Sequence, residues 1–200
     1  MLTNLDDSVG DVVAALEQNS LLENTIIVFL SDNGGPTREL TSSNLPLRGG
    51  KGQMYEGGIR VPFMVQWKGT IDAGQLYRQP VVSTDLMATF SALADAPLPK
   101  TKLDSVDLLP YIQGDRNGAP HEYLFWRTGN KRALREGDWK ALLEPGRNGS
   151  PNWQLYNLKN DLAESNDLAK TNPDILESLT DRWNVVNGDM IDPIYDPRKK

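Results

Sequence analysis

The sequence contains no cysteine and a single histidine, His121. The first absence excludes disulfides, thiolate metal sites and a cysteine nucleophile within the chain. The second excludes a zinc site built from several histidines. Basic clusters are scarce: Lys and Arg number 21 against 27 Asp and Glu, a net charge of −6. Nucleic-acid binding relies on a basic face that displaces counterions. The one basic run is Arg198-Lys199-Lys200, so no nucleic-acid partner is expected. No apolar run approaches the roughly 18 residues of a membrane span, and none is expected. Met1-Leu2-Thr3-Asn4-Leu5-Asp6-Asp7 has neither the basic start nor the apolar stretch of a signal peptide. It reads like the interior of a longer protein.

What is present fits a folded core, with 38% hydrophobic and 24% charged residues. Val9, Val12, Val13 and Leu16 follow helical spacing, which predicts a helix over 4–19. The continuous apolar run Thr25-Ile26-Ile27-Val28-Phe29-Leu30 predicts a strand buried on both faces, as in a parallel sheet. A second strand is predicted over 61–67, and Leu86, Met87, Phe90, Leu93 and Ala94 predict a helix over 83–95. Residues 96–120 are richer in Pro and Gly and read as a connection.

Beyond that connection the pattern changes. Strands are predicted at 122–126, 131–135, 139–143 and 154–158, with Glu136-Gly137-Asp138 as a hairpin turn. A closing helix is predicted over 173–184, with Asn172 as its cap and Pro173 at its first position. The expected fold class is α/β, a mixed sheet with helices followed by a small antiparallel sheet with one helix. The division read from sequence is 1–110 and 111–200. No internal repeat is visible.

Chemistry concentrates between 31 and 60. Asp32 and Asn33 end the first strand, where ligand sites lie in open α/β sheets. A carboxylate and an amide oxygen are hard donors suited to Ca²⁺ or Mg²⁺. Gly34 and Gly35 let the chain turn sharply after them. Ser31-Asp32-Asn33-Gly34-Gly35 is also the composition of a plain turn, and calcium takes about 6–8 oxygens, so further ligands are needed. An acidic chain that binds an oxyanion needs local positive charge from a metal or a placed lysine. Lys51, in Leu47-Arg48-Gly49-Gly50-Lys51-Gly52, is a point charge suited to a tetrahedral oxyanion. A solvated loop lysine is the alternative. Glu56 and Arg60 can pair and hold the loop. His121 titrates near neutral pH but follows Pro120, far in sequence from the glycine loop. Tyr123, Trp126, Trp139, Trp153 and Trp183 are either stacking surfaces for a glycan or core.

Taken together, TIIVFLSDNGG at 25–35, LRGGKGQMYEGGIRVP at 47–62, VSTDLMAT at 82–89, REGDWKALL at 135–143 and LYNLKNDLAESNDLA at 155–169 resemble the formylglycine-dependent sulfatases of the alkaline phosphatase superfamily. The resemblance covers nearly the whole chain and implies the C-terminal part of such an enzyme, with a sulfate ester, including a sulfated carbohydrate, as substrate. It implies that Asp32 and Asn33 are calcium ligands and that Lys51 contacts the substrate sulfate and acts in catalysis. The family's nucleophile is a formylglycine made from the first residue of a Cys/Ser-x-Pro-x-Arg motif. No such motif occurs here. The nearest imitation, Asn44-Leu45-Pro46-Leu47-Arg48, has Asn at the oxidised position, with Ser43 one residue out of register. The remaining calcium ligands and the formylglycine are therefore expected in an N-terminal half outside this sequence, and the chain is expected to be inactive alone. The family is commonly periplasmic, secreted or lysosomal, which is analogy only. Two other readings stand beside this one: a phosphonate or phosphodiester hydrolase of the same superfamily, and a non-catalytic module that binds sulfated glycans.

Overall fold

The computed structural model describes residues 1–37, 42–145 and 152–191. The Asn148-Gly149-Ser150 sequon and the basic tail lie outside them. By internal contacts the chain forms two compact units, one of Met1–Leu30 with Pro62–His121 and one of Ser31–Val61 with Glu122–Lys200. The 1–110 and 111–200 division is one of sequence segments. In contacts, the glycine-rich loop belongs with the C-terminal sheet.

In the first unit, α1 spans Leu2–Gln18 and buries no residue. Its stripe of Val9, Val13 and Leu16 is half-buried, and Val12 is exposed. A 3₁₀ turn, Leu22–Asn24, leads to β1, Ile27–Leu30. β1 pairs with β2, Phe63–Gln66, in an antiparallel ribbon with Phe29 opposite Met64. This corrects the expectation of a parallel strand buried on both faces. An apolar run reports two apolar faces and carries no information on strand direction. β1 is half-buried throughout, and β2 alternates between half-buried and exposed.

α2, Glu56–Ile59, belongs to the second unit; in the first, α3, Asp85–Leu93, and the short α4, Leu109–Ile112, follow β2. The buried Asp85 of α3 accepts the N–H groups of Val82 and Val106, each at 2.9 Å. His121 Nε2 lies 2.9 Å from both carboxylate oxygens. These bonds tie the helix start to the segments at 106 and 121.

In the second unit, β3 (Tyr123–Thr128), β4 (Lys131–Glu136), β5 (Trp139–Leu143) and β6 (Gln154–Asn157) form an antiparallel sheet in sequence order. The β4–β5 turn places Gly137 at φ 55°, a left-handed conformation that glycine adopts without a Cβ penalty. Strand alternation gives the sheet two different faces. Leu134, Ala141 and Leu155 face α5, Pro173–Gly188, and pack with its Leu179 and Trp183. Ala133, Leu142 and Tyr156 face the other way and pack with Met54 and Tyr55 of the glycine-rich loop. β5 is buried along nearly its whole length because both faces are covered. Pro173 opens α5 as expected, but Asn172 makes no side-chain cap. Its Oδ1 instead accepts the Thr171 hydroxyl at 3.0 Å.

The aromatic residues of this unit pack on the two clusters. Trp183 is 2% exposed. It stacks on Phe125 at 5.2 Å and meets Trp153 edge-on at 6.0 Å. Tyr123 and Trp139 pack in the same cluster, and Trp126 packs on the opposite face with Met54 and Tyr55. Trp183 is thus core, while Tyr123, Trp126, Trp139 and Trp153 are half-buried.

Candidate functional site

Asp32 and Asn33 directly follow β1. Ser31 Oγ donates to Asn33 O at 2.8 Å and closes the turn. Asn33 Nδ2 donates to Gly34 O at 3.0 Å, so its amide oxygen is the end left to accept or ligate. The Asp32 side chain is in an exposed residue. The pair is chemically suited to a hard cation. Among the described residues no group of three or more His, Cys, Asp or Glu comes together, and a calcium shell takes about 6–8 oxygens, so this turn by itself does not amount to a calcium site.

The turn is joined to the Lys51 loop by backbone. Gly34 N–H donates to Gly58 O at 3.0 Å, and Lys51 N–H donates to Gly35 O at 3.2 Å. The approach is close: a Cβ on Gly34 would stand 1.7 Å from Gly57 O, and one on Gly58 would stand 2.1 Å from Gln53 O. These glycines are required by contact with other backbone, not by turn conformation. The structure thus brings Asp32, Asn33 and Lys51 into one loop cluster. His121 belongs to the first unit, where it is tied to Asp85.

Asn44 is the residue that sequence reasoning passed over. Its Oδ1 accepts Gly35 N–H at 3.0 Å. Its Nδ2 lies 3.1 Å from Gly35 O, 3.0 Å from Gly49 O and 2.9 Å from Gly57 O. One amide therefore knits the turn, the Lys51 loop and the start of α2, Glu56–Ile59. Its place in an imitation of the modification motif conceals this structural role.

The C-terminal sheet grips the same loop from below. Lys140 is fully buried, and its Nζ lies 2.8 Å from both Glu56 Oε1 and Glu164 Oε1. Glu164 Oε2 accepts Glu56 N–H at 2.6 Å. Burial pushes the Glu164 carboxyl above the usual carboxylate range, against the pull of Lys140. Arg60 Nη1 stands 3.6 Å from Glu56 Oε2, the pairing read from sequence, and Arg135 Nη1 stands 3.9 Å from the same oxygen.

Arg48 Nη1 donates to Tyr156 OH at 3.1 Å and to Glu164 O at 2.8 Å, with its guanidinium 4.1 Å above the Tyr55 ring. Burial, and then the neighbouring Tyr55, pushes the Tyr156 phenol up to about 12. Lys140, Leu142 and Glu144 share this face, where Lys140 meets Glu56 and Glu144 meets Met54 of the loop; neither charged residue stands out in the sequence.

Known proteins resemble this chain over most of its length. The sulfatase family model matches residues 1–96, and the model described as N-sulphoglucosamine sulphohydrolase, C-terminal, matches residues 50–186. Human steryl-sulfatase is 38% identical over 157 residues, covering 69% of this chain and 26% of that protein. Human arylsulfatase A is 37% identical over 148 residues, covering 70% of this chain and 29% of that protein. A crystal structure of Ps i-CgsB in complex with k-i-k-neocarrahexaose superposes with a TM-score of 0.85 at 34% identity, covering 98% of this chain and 43% of that one. The chain therefore spans less than half the length of these relatives. It belongs to the sulfatase family and corresponds to a C-terminal portion of a sulfatase.

Proposed function

We propose that the complete protein carrying this sequence is a sulfuric ester hydrolase, and that this chain supplies two parts of its active site. Asp32 and Asn33 contribute oxygen ligands to a calcium ion, which would neutralise charge on the sulfuryl group when bound. Lys51 places its ammonium against a sulfuryl oxygen, a point charge that needs no proton transfer to act. The nucleophile comes from the formylglycine segment, which this sequence does not contain. A sulfated carbohydrate is the substrate class that fits best, because the oligosaccharide in the Ps i-CgsB complex is bound by a protein of the same fold and 34% identity.

The observation that supports this reading most directly is the hydrogen bond from Lys51 N–H to Gly35 O at 3.2 Å. It sets the lysine loop against the turn that holds Asp32 and Asn33. Two measurements test the reading. The isolated chain should release no sulfate from an aryl sulfate above a Lys51→Ala control. In a complete sulfatase carrying the sequence, Lys51→Ala should lower kcat/KM by about 100–1000-fold, the usual loss for one oxyanion contact. Turnover by the isolated chain, or an unchanged rate in the complete Lys51→Ala enzyme, would contradict it.

A further inference from the structure

The segment that bears Lys51 has few anchors of its own. Gly50 N–H donates to Gln53 Oε1 at 3.2 Å, and Gln53 N–H donates to Gly50 O at 3.0 Å. Gly52 takes φ 78°, and a Cβ there would meet nothing within 4 Å. A tight glycine turn in open space is free to sample other backbones. Its fixed points come from outside.

Lys131 opens β4 and Glu144 directly follows β5. They form a cross-strand ion pair at 2.8 Å. Each partner directs a further bond to the loop. Lys131 Nζ donates to Gly52 O, and Glu144 Oε2 accepts Met54 N–H at 2.8 Å. These bonds fall one and three residues after Lys51. The Lys51 N–H itself is held from the other side by Gly35 O. Glu144 is 10% exposed in its side chain, so its bond to Met54 is largely shielded from competing water. A pair serving sheet stability alone would not need both partners to reach residues 52–54 of one loop.

We propose that Lys131 and Glu144 are positioning residues for Lys51. Together they fix the backbone of residues 52–54, hold the lysine in register with the Asp32–Asn33 turn, and so set the affinity of the site for a tetrahedral oxyanion. The proposal rests on the reading of Lys51 as the sulfate contact.

The test is hydrogen exchange by mass spectrometry on a complete sulfatase carrying this sequence, titrated with inorganic sulfate in the presence of calcium. The parent is compared with Lys51→Ala, Lys131→Ala, Glu144→Ala and the conservative variants Lys131→Arg and Glu144→Gln. Both alanine variants should speed exchange over residues 50–54 and leave β4 and β5 protected. Their sulfate midpoint should rise about tenfold, the equivalent of one lost charged hydrogen bond. Lys131→Arg can still donate to Gly52 O and Glu144→Gln can still accept from Met54, so both should stay close to the parent.

A sulfate response that is lost in Lys51→Ala but intact in Lys131→Ala and Glu144→Ala overturns the positioning role alone. So does an alanine variant with unchanged exchange over 50–54. A response identical in the parent and Lys51→Ala overturns the sulfate-site reading itself, and the positioning role with it.

Discussion

Asn44 and Gly35 hold each other in both directions: Gly35 N–H donates to Asn44 Oδ1 at 3.0 Å while Asn44 Nδ2 lies 3.1 Å from Gly35 O. The same amide nitrogen reaches Gly49 O and Gly57 O. Only an amide side chain offers acceptor and donor at this spacing. Asn44→Asp keeps the shape but removes the donors and sets a negative charge among three carbonyl oxygens. It should destabilise the second unit by about 1–2 kcal/mol, the cost of leaving half-buried polar groups unsatisfied. Urea unfolding followed by tryptophan fluorescence measures this, since Trp126, Trp139, Trp153 and Trp183 all lie in that unit. An unchanged midpoint would mean the bridge is not holding the loop.

The buried Lys140 sits between two carboxylates. Lys140→Met leaves Glu56 and Glu164 facing each other without their shared cation, and should cost about 3–5 kcal/mol, as breaking a buried pair does. Replacing all three residues with neutral ones of similar volume should restore much of that loss, because no buried charge then remains. Thermal melts of the single and triple variants separate the two effects. Equal melting of both would show that packing, not charge, is what Lys140 provides.

Glu164 sets a pH dependence. Its carboxyl is raised above its ordinary value in the fold, chiefly by burial. The folded state therefore retains a proton over a range in which the unfolded state has released it. By linkage, this contribution to stability is full below the ordinary glutamate pKa and is lost as pH rises through the raised one. Stability of the parent should fall across that window relative to Glu164→Gln, which does not titrate. Denaturant midpoints measured from pH 4 upward compare them. Parallel curves for the two proteins would rule out Glu164 as the source.

The first unit leaves apolar surface open. Leu2 is 83% exposed and Met64 58%. β1 and β2 form a ribbon of two strands whose outer edges pair with no other strand among the described residues. Open edges and apolar patches favour association. The isolated chain should therefore elute as oligomers in size-exclusion chromatography with light scattering, at micromolar concentration and above. A sharp monomer peak with cooperative melting would show that this surface is tolerated in solution.

Much of this protein was determined by sequence alone. Short apolar-rich runs and the Glu136-Gly137-Asp138 turn placed β3 to β6, because strand propensity and turn chemistry are local properties. Helical spacing placed α1 and α3, and Pro173 the start of α5, to within a few residues for the same reason. The blocks around Asp32 and Lys51 pointed to the family and to the candidate site residues. Tertiary structure decided the rest. Strand direction at β1 depends on which strand lies beside it, and a buried apolar run does not encode that. Lys140 and Glu144 look like solvated positions between apolar neighbours until the glycine loop covers their face of the sheet. Asn44 looks like a failed modification motif until the turn at 35 and the loop at 49–57 close around it. In each case the deciding contact joins residues far apart in sequence, and no local pattern can carry information about a partner that arrives only on folding.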